Sequence, residues 1–251
     1  LRGAQSITGW QARGEYVYQR LQAHAEQTQQ GVRRLIQSSG AAFEPVSVIN
    51  AVIVKQGDLA LVQRLAARSD VAQIIANRPI EVEEPQAIPA APEATGWNIQ
   101  AVQADEVWQD YDVTGEGIVV ANIDTGVQWD HPALQASYRG WDGATAEHNY
   151  NWFDPYNQLP LEPGDLNGHG THTMGTMVGD TTSNHIGMAP GARWIACKGG
   201  YAGSTSLYTD EILRCADWIL APTDLAGENP DPAMRPHVVN NSWGGDSNDY
   251  W

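Results

Sequence analysis

Long apolar runs are missing from these 251 residues. Nowhere do about eighteen apolar side chains follow one another, the length that a membrane-spanning helix needs. Positive charge is scarce: 14 Lys and Arg stand against 30 Asp and Glu, a formal net charge of −16. An acidic surface repels phosphate backbones and anionic headgroups, so neither nucleic acid nor a membrane is expected as a partner. Cysteine is limited to Cys197 and Cys215. They could form one bridge, as secreted proteins permit, but each sits in an apolar context, so buried free thiols are the default expectation. Neither a structural zinc spacing nor the helical His-Glu-x-x-His arrangement of zinc hydrolases occurs. Leu1-Arg2-Gly3 has no initiator methionine and no apolar signal region, and a targeting segment is expected ahead of it.

What is present divides unevenly. Apolar residues make up 42% and charged residues 18%, a globular balance. Residues 1–96 hold nine basic and nine acidic side chains, whereas residues 97–251 hold five and 21, so 5 − 21 = −16 falls entirely on the second part. Trp10 is the one tryptophan of ten outside that part. Such a break points to two units joined by a linker.

Along the chain, Val17, Leu21, Ala25, Thr28, Val32, Leu35 and Ile36 recur at helical spacing, predicting a helix over about 11–38 with a stop at Gly40. A β-branched strand is expected over 46–54. Asp58 then caps a helix carrying Leu59, Val62 and Leu65, and Val71, Ile74 and Ile75 begin another strand. This is a small α+β unit over 1–84. Pro85 to Ala94, with three prolines, lies in an extended linker over 85–96. From Trp97 onward a short helix at 101–108, strands at 118–123 and 193–197, a helix at 211–220 and a strand from His237 alternate. That alternation predicts a mostly parallel α/β sheet flanked by helices. The aromatic stretch 141–163 is too irregular to assign.

The chemistry concentrates at two places. Val119-Val120-Ala121-Asn122-Ile123-Asp124-Thr125-Gly126 ends an apolar strand in an acid and a glycine, the position where α/β sheets carry functional groups. Some 45 residues on, Gly168-His169-Gly170-Thr171-His172 sets a histidine between glycines ahead of small and β-branched residues. Asp-Thr-Gly also occurs in aspartic peptidases, but those share a proton between two such aspartates and this chain has one such tripeptide. His131, His172 and His185 are read as structural, by packing or hydrogen bonding.

Together Asp124-Thr125-Gly126 and His169-Gly170-Thr171-His172 resemble the aspartate and histidine motifs of the subtilisin-like serine peptidases (subtilases), and the chain is most similar to their bacillopeptidase F-like members. The resemblance implies an Asp–His–Ser triad in which Asp124 orients His169 and His169 takes the serine proton. The Gly-Thr-Ser nucleophile motif of the family does not occur in the sequence, so the serine is expected beyond residue 251 and this chain alone is expected to be inactive. Ser242 lacks that setting and is not the expected nucleophile. Ser242, Trp243 and Gly244 resemble the family's substrate-binding strand, and Gly203 and Ser204 the segment facing it. Residues 1–84 resemble the ferredoxin-like propeptide that assists folding and then docks in the cleft, with maturation expected between Glu83 and Trp97. The implied protein is a secreted endopeptidase precursor acting on polypeptides, with the rest of the catalytic domain as a further partner. No cofactor is required. Where many subtilases carry a calcium-binding aspartate after His-Pro, this chain has Ala133, so the usual calcium site looks absent, while Asp142, Asp154 and Asp165 leave another open. Two other readings stay open: an inactive pseudo-peptidase serving as a peptide-binding or inhibitory module, and a metallohydrolase using His169, His172 and Asp165.

Overall fold

The computed structural model describes residues 1–82, 95–181, 183–201 and 203–244. The expected linker and maturation window therefore lie largely outside the described residues. The chain divides into two units, Leu1–Arg78 and Pro79–Trp251.

In the first unit, α1 (Trp10–Ser38) packs on the antiparallel hairpin of β1 (Ala42–Val46) and β2 (Ala51–Lys55), with α2 (Leu59–Ala66) alongside. Ile36, Leu61 and Leu65 form the buried centre, with Val32, Phe43, Val52 and Val54 against them. Gly40, at φ +78°, ends α1 where the sequence suggests, and Asp58 caps α2 by accepting from the Leu61 amide at 2.8 Å. The single strand expected over 46–54 is split: 47–50 form the turn of a hairpin, with Val46 ending β1 and 51–54 belonging to β2. Asn50 adopts φ +54°, a conformation asparagine tolerates, and the buried Gln29 amide donates to Val46 O, Ala51 O and Asn50 Oδ1, holding the turn closed. Nor is there a strand at 71–75: Ile74 and Ile75 are exposed and join no described ladder. This unit is thus α+β, with two strands in one antiparallel hairpin.

The second unit opens on β3 (Pro79–Glu81), followed by α3 (Trp97–Ala101) and α4 (Ala104–Tyr111). The single helix expected at 101–108 is broken because Gln103 sits at φ +59°. The sheet then assembles from β4 (Val119–Asp124), β5 (Trp152–Phe153), β8 (Arg193–Lys198) and β10 (Val238–Asn240), all parallel, in the order β10-β4-β8-β5. Between them lie α5 (His169–Val178), the short hairpin β6 (Asp180–Thr181) and β7 (Asn184–His185), then β9 (Ser206–Tyr208) and α6 (Thr209–Leu220). This is the α/β architecture that the alternating pattern predicts.

Strand parity sorts the core. Val120, Trp194 and Ala196 pack with Met174 and Val178 of α5, whereas Ala121, Ile123, Ile195 and Cys197 pack with Cys215 and Trp218 of α6. Both faces are buried, as a parallel sheet requires, which explains why β4 reads as a continuous apolar run. The expectation of free thiols is overturned. Cys197 of β8 and Cys215 of α6 face one another across this second cluster, their Cα atoms 5.6 Å apart, and are joined as a disulfide. An apolar context signals burial for both states of a cysteine, and the sequence carries no sign that these two meet.

Candidate active site

Asp124 is the last residue of β4 and is fully buried; His169 is the first residue of α5. Two glycines bring these ends together. A methyl on Gly170 would overlap the Gly126 carbonyl oxygen and lie 3.1 Å from Asp124 Cβ, and one on Gly126, at φ +113°, would overlap Gly164 O. Bare backbone at Gly170 lets the loop after β4 touch the start of α5, and at Gly126 it lets the same loop touch residues 164–165 ahead of that helix. Asn122, one turn of the strand deeper, donates its side-chain amide to Gly170 O at 3.0 Å, so strand and helix are pinned through the same residue.

The result is a contact of 2.7 Å between His169 Nδ1 and Asp124 Oδ1. An ionised carboxylate only accepts, so Nδ1 carries the proton and Nε2 keeps its lone pair. Thr125 N also donates to Oδ1 at 2.7 Å, and Thr173 Oγ1 to Oδ2 at 3.2 Å. Burial pushes the Asp124 carboxyl above its ordinary range, and these three donors pull against that rise. His169 is itself 6% exposed. A basic nitrogen held in one tautomer by a buried acid is suited to accept a proton from a nucleophile.

A further carboxylate, Asp165, holds the segments around the pair. Asp165 accepts from Thr125 Oγ1, the amides of Asn167, Gly168 and Thr171, and Thr171 Oγ1, at 2.7–3.0 Å. Sequence reasoning weighed Asp165 only as a cation ligand. Its position two and three residues before Asn167 and Gly168, in a glycine-containing loop, is an Asx-turn signal that would have found it. His172, expected to pack or hydrogen-bond within the helix, is exposed on α5, while His169 is buried. The carboxylates left open for calcium are taken up by backbone turns: Asp142 accepts from Ala144 N and Thr145 N, and Asp154 from the amides of Tyr156, Gln158 and Leu159. Ala133 is buried and its carbonyl accepts from Asp180 N.

Of the expected substrate-binding residues, Trp243 donates its indole N–H to Ile123 O at 2.8 Å, setting 242–243 beside the end of β4. Asn240 donates to Ser242 Oγ, and Gly244 has open space around it. Gly203, at φ +67°, and Ser204 belong to the turn ahead of β9. The edge that carries an extended strand is one step further on. Here β3 runs antiparallel to β9, with Ile80 opposite Leu207 and Glu81 opposite Ser206, and Val82 N donates to Thr205 O at 2.6 Å. Ile80 and Val82 are buried, while the Glu81 carboxylate between them accepts from Ser206 Oγ at 2.9 Å and Thr205 Oγ1 at 3.2 Å.

The subtilase family model matches residues 115–250. Bacillopeptidase F of Bacillus subtilis (strain 168) is 44% identical over 183 residues, covering 70% of this chain and 12% of that protein. The minor extracellular protease Vpr of the same organism is 37% identical over 101 residues, covering 39% of this chain and 12% of its own length. This chain thus spans about an eighth of either relative. Among solved structures, fervidolysin from Fervidobacterium pennivorans is 17% identical with a TM-score of 0.49, covering 85% of this chain and 34% of that one.

Proposed function

The chain belongs to the subtilase family, and from that premise we propose that it is the front part of a secreted serine endopeptidase precursor. The observation that carries this reading is the 2.7 Å pairing of Asp124 with His169 at the carboxyl end of a parallel strand. His169 Nε2 takes the proton of a serine hydroxyl as that oxygen attacks the peptide carbonyl, then returns it to the departing amine. Asp124 holds the imidazole in the tautomer that leaves Nε2 free and stabilises the cation formed on proton transfer. The nucleophile and the donors for the oxyanion are supplied by residues following 251. Polypeptides bind as an added strand against the Thr205–Tyr208 edge, with Ser242–Gly244 on the other side.

Residues 1–84 act as propeptide, chaperone and inhibitor. The pairing of β3 with β9 supports this, because an intramolecular strand already lies where an extended peptide would add. Cleavage between Glu83 and Trp97 separates this propeptide from the peptidase. The name of Vpr places that relative outside the cell, and secretion of this chain follows the same reading.

The test uses the peptidase extended past residue 251. A serine-directed fluorophosphonate is expected to label it, Asp124→Asn to lower kcat by about 10⁴ and His169→Ala to abolish labelling. Labelling and hydrolysis that survive His169→Ala would refute the assignment. Peptide binding without hydrolysis in the extended protein would favour the pseudo-peptidase reading.

A further inference from the structure

We infer that Asp165 is a positioning residue for the Asp124–His169 pair, a carboxylate that joins the loop after β4 to the first turn of α5 through two hydroxyl relays. The inference rests on the proposed role of that pair. Its geometry is independent of any reaction.

Both relays have the same form. Thr125 Oγ1 donates to Asp165 Oδ1 at 2.9 Å and accepts from Gly170 N at 2.9 Å. Thr171 Oγ1 donates to Asp165 Oδ2 at 2.7 Å and accepts from Gln128 N at 3.1 Å. One hydroxyl starts in the loop and reaches the helix, and the other starts in the helix and reaches the loop. A hydroxyl has one proton and rotates to suit its partners. An acceptor-only carboxylate fixes that proton in both threonines, leaving each oxygen free to receive an amide from the facing element. Asp165 also accepts the amides of Asn167, Gly168 and Thr171, so it sets the start of α5 as well as the relays. Thr125 follows Asp124 and Gly170 follows His169, so displacing this staple displaces both members of the pair.

An asparagine keeps the shape of Asp165 but turns one acceptor into a donor. Oδ1 receives three donors and Oδ2 two, so either orientation of the amide sets an N–H against an N–H. Asp165→Asn tests the staple as a whole. Thr125→Val removes one relay and Thr125→Ser restores its hydroxyl. The readouts on the 251-residue chain are the ring nitrogen shifts of His169 by NMR, which report the tautomer, and the exchange rate of its Nδ1 proton. In the unsubstituted chain Nδ1 is expected to be protonated and slow to exchange. Asp165→Asn and Thr125→Val are expected to speed that exchange by roughly tenfold or more, the scale of one charge-assisted hydrogen bond, while Thr125→Ser stays within about twofold of the parent. If Asp165→Asn fails to fold, the Thr125 pair decides.

The inference is overturned if the folded Asp165→Asn and Thr125→Val chains keep parental shifts and exchange, or if Thr125→Ser behaves as Thr125→Val does. It is also overturned if the unsubstituted chain lacks the Nδ1-protonated tautomer. No readout involves hydrolysis. A normal His169 signal in the 251-residue chain, together with no cleavage by the protein extended past residue 251, would count against the peptidase assignment and leave the staple standing.

Discussion

Gly170→Ala sets two effects of opposite sign against each other inside one helix. Alanine is the better helix former by about 1 kcal/mol, which favours the substitution. Against it stands the backbone of Gly126, whose carbonyl oxygen occupies the space of the new methyl and whose carbonyl carbon would lie 3.1 Å away. That obstacle is main chain at a loop pinned by Asp165, so it cannot rotate aside as a side chain would. Overpacking of this kind costs about 1–3 kcal/mol. Moving α5 back also weakens the Gly170 N to Thr125 Oγ1 bond and the His169–Asp124 bond, which adds about 1–2 kcal/mol. The sum predicts a net loss of about 2 kcal/mol. Gly175, one turn further along α5, is the control. Its added methyl meets nothing within 4 Å, so Gly175→Ala should gain about 1 kcal/mol. For a unit of this size the two shifts correspond to roughly −6 °C and +3 °C in Tm. Tryptophan fluorescence during urea or thermal unfolding reports this unit selectively, because Trp10 alone lies outside it. A Gly170→Ala chain as stable as the parent, or two glycines shifting stability in the same direction, would refute the close-approach argument.

Other perturbations follow from the same coordinates. Reducing the Cys197–Cys215 bond, or replacing both by alanine, should cost about 3 kcal/mol in the urea unfolding of the second unit, the value for a loop of this length (18 residues apart). A shift under about 1 kcal/mol would contradict it. Burial raises the Glu211 carboxyl to about 8, with nearby Asp210 and Asp154 adding to the rise and the Tyr208 amide and Lys198 opposing it. The folded state then keeps a proton that the unfolded chain releases near pH 4.5. This contribution to stability is therefore complete below that pH, falls as pH rises to about 8 and is level beyond. Glu211→Gln should flatten this slope in denaturation curves taken across that range; an unchanged slope would sink the assignment. Replacing Glu81 by lysine removes the acceptor for Ser206 and Thr205 and should speed amide hydrogen exchange across β9, read by mass spectrometry; equal protection in both chains would show that the carboxylate does not hold β3 in place.

The parts of the molecule that the residues make legible are those where one residue type answers one constraint. An apolar run closed by Asp124 implies a doubly covered strand, and glycine on both sides of His169 implies backbone contact; each holds in the structure. Asp58 as a cap and Gly40 as a helix stop depend only on neighbours a few residues away. The misreadings share a cause, because each needed knowledge of a distant partner. Val46 to Val54 has the composition of a strand, yet Gln29 of α1 stabilises a turn within it. Val71 to Ile75 has strand residues but no ladder to join. Cys197 and Cys215 read as two buried thiols because nothing in their local sequences says that β8 and α6 face one another there. Gly203 and Ser204, expected on likeness to face a substrate, lie in the turn ahead of β9, and the pairing of β3 with β9 begins just beyond them at Ser206.

Parity along β4 and β8 ties these features into one arrangement. Val120, Asn122 and Asp124 turn toward α5, so the buried acid and its imidazole belong to that face. Ala121 and Ile123 turn toward α6 together with Cys197, so the covalent staple belongs to the other. A register slip of one residue would exchange the two sets and put an apolar side chain against His169. The staple closes a loop that contains β9 and leads into α6, whereas the Asp165 relays close on the loop after β4 and the start of α5. Cutting the disulfide therefore acts first on the edge that carries an added strand, and removing Asp165 acts first on the acid–imidazole pair. The strands β4 and β8 between them, buried on both sides and paired at the centre of the four-stranded sheet, are what keep the two responses apart.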